Sequence, residues 1–144
     1  MPDNIVVDAN VAISTLIRRG IPSTAFSLNA LLHRFRFVAP ELLLEEVDRN
    51  RQKILGLTKL SEEEFNETHY FLLHEIDFVP APNLASLLPK AKTIAPHDKD
   101  APYVALALSL ECPIFSGDKG LLKMKGVKVY SPRQMLELLT TQNF

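Results

Sequence analysis

Cysteine is nearly absent from this 144-residue chain: Cys112 stands alone, so no disulfide can close within it. A lone thiol fits a reducing compartment, and the cytoplasm is the expected location. No apolar run approaches the ~20 residues that a bilayer-crossing helix needs, so no membrane contact is expected. Asp3 and Asp8 stand where a secretory leader would carry a basic and then an apolar stretch, so no leader is expected either. Neither sign of charge dominates: 16 Lys and Arg against 17 Asp and Glu leave a net charge of −1, which excludes a globally basic nucleic-acid binder. There is no CxxC or HExxH zinc pattern, no P-loop and no GxSxG elbow. Repeats, low-complexity tracts and linkers are missing as well, and one domain spanning residues 1–144 is expected.

What is present is a large apolar fraction, 47% of the chain, enough for a substantial core. The charge it does carry is uneven. Glu62 to Asp77 holds six acids and no Lys or Arg, whereas Lys119 to Arg133 holds four Lys, one Arg and no acid. The basic strip can hold a phosphate backbone or can be a solvated face.

Strand and helix patterns alternate along the chain. Ile5-Val6-Val7 reads as a buried strand ending at Asp8, followed by a helix from Val11 to Ile17 closed by Gly20. A helix opens at Pro22, with Ser23 or Thr24 near its cap, and runs to about Arg34. Phe35–Ala39 is a strand, and Pro40 starts a helix through Glu46 to Leu55, ended by Gly56. Ser61 and Glu64 form a capping-box pattern for a helix to His74. Strands at 76–79, 113–116 and 127–130 are separated by a weak helix at 84–92, an almost wholly apolar helix at 101–111 capped by Asp100, and a short helix from Gly117-Asp118 to Met124. A closing helix spans 132–140. This alternation predicts an α/β fold with a mainly parallel sheet and helices on both faces.

Three aspartates stand at the ends of these elements, and a glutamate stands on the face of one helix. Asp8 directly follows one strand and Asp118 follows another by two residues, and in open α/β sheets ligands gather beyond the carboxyl ends of strands. If those strands are neighbours, the two acids converge. Asp100 starts a helix so apolar that its N-terminus can face a cleft, and Asp98 can join it or serve as a turn residue. Taken singly, Asp8, Asp100 and Asp118 are each better read as a helix cap, and only their joint placement in one fold makes them a site. Around the helix through Glu46, at ~100° per residue, Glu46 lies roughly 70° from the apolar direction of Leu43, Val47 and Ile54, while Glu45 points away. An inward-leaning Glu needs a partner, whether a cation, a Lys or Arg, or solvent. Close carboxylates repel, and a hard divalent cation such as Mg²⁺ or Mn²⁺ neutralises them while orienting and activating water against a phosphoryl group.

Other candidates are weaker. Asn10 can hold a metal-bound water or a ligand carboxylate, and Ser116 can orient Asp118; both also suit turns. Arg18, Arg19 and Lys119 can contact phosphates. His33, His69, His74 and His97 have no metal spacing, and Phe26, Phe35, Phe37, Phe65 and Phe71 read as core.

Together these segments resemble the PIN domain, the nuclease domain of VapC-type toxins and of several RNA-processing factors. Ile5-Val6-Val7-Asp8-Ala9-Asn10 resembles its opening motif. Ala39 to Val47 resembles the helix supplying its Glu, which favours Glu46 over Glu45. Asp98-Lys99-Asp100 followed by Tyr103 to Ala107 resembles the third motif, and Ile114-Phe115-Ser116-Gly117-Asp118 the fourth, with Ser116 where Thr is common. The resemblance spans nearly the whole chain. It implies a three-layer α/β/α fold with a five-stranded parallel sheet in the order 3-2-1-4-5. It also implies Mg²⁺ or Mn²⁺ held by Asp8, Glu46, Asp100 and Asp118, with RNA as substrate. A homodimer and an antitoxin partner are further implications. A PIN-like module that grips RNA or protein without cutting is the alternative. A phosphoacceptor receiver or a haloacid-type phosphatase fits poorly, because Asn10 stands two after Asp8 and Tyr130-Ser131-Pro132 follows the last strand.

Overall fold

A computed structural model describes residues 3–141. Five strands, β1 (Asp3–Val7), β2 (Phe35–Pro40), β3 (Ile76–Val79), β4 (Ile114–Phe115) and β5 (Val129–Tyr130), form one all-parallel sheet in the order β3-β2-β1-β4-β5. The helices are α1 (Ala9–Ile17), α2 (Ile21–Leu32), α3 (Leu42–Arg49), α4 (Arg51–Leu57), α5 (Glu62–Glu75), α6 (Leu88–Ile94), α7 (Ala101–Leu110), α8 (Lys119–Leu122) and α9 (Pro132–Thr140).

The chain moves from β1 outward through β2 to β3, then crosses back to β4 on the other side of β1. Right-handed crossovers therefore send α1 to α5 to one face and α6 and α7 to the other. The packing agrees: α1 meets α2, α3, α4 and α5, whereas α7 meets α6 and lies along β1, β2 and β4. Strand side chains alternate between these layers. On the α2 face, the rings of Phe26, Phe37 and Phe115 pack with centroids 5.3, 5.7 and 6.1 Å apart. β1 is central and hydrogen-bonded on both sides, so its apolar run Ile5-Val6-Val7 is almost wholly buried.

Two expectations need correction. The stretch from Pro40 to Leu55 is not one helix. Pro40 ends β2, where it pairs with Val79, and the helix breaks at Asn50 into α3 and α4. The Asn50 side-chain amide donates to the Glu46 carbonyl at 2.7 Å, competing with the helical ladder. Gly56 lies inside α4 and does not end it. Strands β4 and β5 are also shorter than expected, at two residues each. The box at Ser61 is present, with Ser61 Oγ accepting from the Glu64 N–H at 3.1 Å and Glu64 Oε1 from the Ser61 N–H at 2.9 Å.

Candidate active site

The sheet order reverses between β1 and β4, and the residues after these two strands stand side by side. The Asp8 N–H donates to the Phe115 carbonyl at 3.1 Å, which carries the strand pairing one residue past β1. Asp8 is 5% exposed. Its backbone has the extended geometry of a helix cap before α1, yet its carboxylate makes no capping bond. Oδ2 instead accepts from the Ser116 hydroxyl at 2.7 Å. The same hydroxyl accepts the Asp118 N–H at 3.0 Å, so Ser116 joins the two acids, touching Asp118 only through its backbone. Asn10 Oδ1 accepts from the Gly117 N–H at 2.9 Å and pins the turn between them. Asp118 does cap: Oδ2 accepts from the Leu121 N–H at 3.0 Å.

Asp100 does not cap. A single 3₁₀ turn, Asp98–Asp100, runs straight into α7, so Asp100 has helical backbone angles (φ −83°, ψ −16°) where capping requires extended ones. Its carboxylate is 7% exposed as a residue, and Oδ2 is buried without a hydrogen-bond partner. One turn along α7, Tyr103 lies on the same face. Its hydroxyl donates to Glu46 Oε1 at 2.7 Å, linking α7 to α3 across the top of the sheet. Glu46 is half-buried and Glu45 exposed, as the helix geometry predicts.

Asp8, Glu46, Asp100 and Asp118 thus line one cleft of about 710 Å³. Burial pushes the Asp8 carboxyl up to about 6, with the Ser116 bond opposing and the Asp100, Glu46 and Asp118 charges adding to the rise. Asp100 is raised by burial and then by Asp118. The Tyr103 phenol is pushed far above its ordinary value by burial and by Glu46, so it stays a donor.

Not every expected residue arrives here. Asp98 is exposed outside the cleft, because the 3₁₀ turn points it away from Asp100. Arg19 pairs with Glu64 at 3.2 Å on the surface, and Lys119 is exposed off the cleft wall. The Lys119–Arg133 strip adds no cation to the cleft lining. Arg18 does line it, and is joined by Lys53, Lys59 and Lys99, which sequence reasoning missed. Among the described residues none of these four forms an ion pair. Lys59 is placed by its neighbours: Thr58 Oγ1 donates to the Leu16 carbonyl and the Lys59 N–H to the Ile17 carbonyl, both at 2.7 Å. Tyr103 was also missed as a site residue, though it is the only aromatic in α7.

Among the described residues no three carboxylates are drawn tightly enough together to form a ready-made cation cage. The donor set nevertheless suits a hard cation. The oxygens are carboxylate, one is buried and unsatisfied, and Mg²⁺-type ions use one or two carboxylates and keep waters for the rest of their shell.

A parallel α/β sheet with buried acids at its switch point defines a class of domain that binds its ligand beyond the strand ends. The PIN domain family model matches residues 6–140, and the chain belongs to that family, whose members are generally nucleases using divalent metals. No curated protein matches the sequence. No helix among the described residues is long and apolar enough to cross a membrane.

Proposed function

We propose that this protein is a divalent-cation-dependent endoribonuclease that hydrolyses RNA phosphodiester bonds in the acidic cleft. The observation that carries the reading is Asp100 Oδ2, an unpaired buried carboxylate oxygen beside a second buried acid, Asp8. Such a pair is costly unless a cation completes it. Asp8, Glu46, Asp100 and Asp118 would hold Mg²⁺ or Mn²⁺ there. When bound, the ion supplies Lewis acidity toward a phosphoryl oxygen and activation of water.

The chain's own residues do the rest. Ser116 fixes the Asp8 carboxylate and the Asp118 backbone together. Arg18, Lys53, Lys59 and Lys99 offer charge to phosphates on either side of the reacting one. Ile13, Ile17, Ile54 and Leu57 give the cleft an aliphatic wall without hydrogen-bonding groups, which suits sequence-tolerant contact with a strand. RNA as the substrate, a toxin or RNA-processing role, an antitoxin partner and a homodimer enter the proposal only through the resemblance of the four sequence motifs, while the family match itself supports nuclease activity on nucleic acid.

The test is cleavage of varied RNAs with Mn²⁺ and Mg²⁺ by the wild type, Asp8→Asn and Asp118→Asn. Both variants are expected to keep the wild-type far-UV spectrum and to lose more than the roughly 10–100-fold that removal of an outer-shell partner costs. Full activity in both would sink the assignment.

A further inference from the structure

Three of the four cleft carboxylates share an arrangement. In each, one oxygen is engaged by a donor of the protein and the other is left over. Asp8 Oδ2 takes the Ser116 hydroxyl at 2.7 Å, Glu46 Oε1 takes the Tyr103 phenol at 2.7 Å, and Asp118 Oδ2 takes the Leu121 N–H at 3.0 Å. Among the described residues no protein donor meets Asp8 Oδ1, Glu46 Oε2 or Asp118 Oδ1. The donors are held firmly. Tyr103 is 1% exposed, Ser116 is fully buried, and the Leu121 N–H belongs to the first turn of α8.

We propose that Tyr103 and Ser116 set the cation selectivity of the cleft, by leaving Glu46 and Asp8 one oxygen each and so favouring a small octahedral ion over calcium. The proposal rests on the reading that the cleft holds a cation. Calcium takes six to eight oxygens at longer distances and commonly fills its shell with both oxygens of one carboxylate. A carboxylate oxygen that already accepts a short hydrogen bond has one of its two lone pairs committed, so two-oxygen ligation through it is weakened and single-oxygen ligation through the other oxygen is favoured. Mg²⁺ and Mn²⁺ need six ligands in near-octahedral array and accept one oxygen per carboxylate with water completing the shell. A phenol and a hydroxyl therefore penalise the larger ion without touching either ion. Both are positioning residues, acting through Glu46 and Asp8.

Tyr103→Phe removes the donor and keeps the ring in its buried slot. Ser116→Ala does the same for Asp8 and gives an independent arm should the first variant fold poorly. Mn²⁺ and Ca²⁺ binding are measured by calorimetry on metal-free protein, with Tm as the fold control. The wild type is expected to prefer Mn²⁺ by at least about tenfold, and each folded variant to narrow that ratio by about threefold or more. In a Glu46→Gln background, Tyr103→Phe should leave the ratio where Glu46→Gln alone puts it. An unchanged Mn²⁺-to-Ca²⁺ ratio in the folded variants overturns the proposal and leaves the nuclease reading standing. A ratio that still shifts in the Glu46→Gln background also overturns it for Tyr103. A wild type that binds neither ion removes the cation reading itself, and this inference with it.

Discussion

The Asp8 carboxyl carries a burden that its neighbours explain. Its folded value of about 6 lies above the ordinary 3.8, with burial as the first cause. A carboxyl raised in this way binds its proton more tightly when folded. Its stabilising contribution is complete below about pH 4 and is lost as pH rises through 6, on the order of 3 kcal/mol for such a shift. The Tm of metal-free protein should therefore fall between pH 4 and 7, and Asp8→Asn should flatten that slope. A wild-type Tm that rises across the same window would contradict it. Asp100 faces the same penalty with an unpaired oxygen. Asp100→Asn should raise the metal-free Tm at pH 7 by the equivalent of about 1 kcal/mol and remove most of the stabilisation that Mn²⁺ gives. A Tm lower than wild type without metal, or an intact Mn²⁺ response, would argue against the role assigned to Asp100.

At the scale of elements, the turn from β4 into α8 shows how little chain builds the site. Ser116, Gly117 and Asp118 contribute a bridge, a close approach and a capping acid. A Cβ on Gly117 would stand 2.9 Å from Asn10 Oδ1, the atom that accepts the Gly117 N–H. Gly117→Ala should cost about 1 kcal/mol through that bond and depress cleavage more than global stability; chemical denaturation beside kinetics would separate the two losses. Much of this was readable beforehand. The apolar strand before Asp8, the Ser61–Glu64 box and the inward lean of Glu46 are local patterns, and each is found in the structure. The order of the strands came from family resemblance. Local pattern could not show that Asp100 would be denied a cap, because that depends on a 3₁₀ turn entering α7 without a break. Nor could it show that Tyr103 would reach Glu46, 57 positions away in the chain, or that Asn50 would split a helix by bonding back to Glu46. The basic stretch near the C-terminus drew attention by its density, whereas the cations that face the cleft are scattered over three segments and become neighbours only through folding.

For the whole molecule, a net charge of −1 conceals an acidic centre flanked by Arg18, Lys53, Lys59 and Lys99. Binding of a single-stranded RNA to a cleavage-dead variant should weaken with salt, at about 0.7 in log K per log salt for each phosphate neutralised. Removing Lys53 and Lys59 together should lower that slope by roughly 1.4, whereas Arg19→Ala, held on the surface by Glu64, should leave it unchanged. Equal slopes in all three proteins would place the strand elsewhere. The central position of β1 has a consequence for the lifetime of the site. Proteins open from their weakly held margins inward, and here the margins are β3 and the two-residue β5. Val6 and Val7 are sealed between β2 and β4, and the Asp8 amide is bonded to Phe115. In hydrogen–deuterium exchange these amides should be among the last to turn over, so the acid at the heart of the cleft outlasts the fluctuations that loosen its rim.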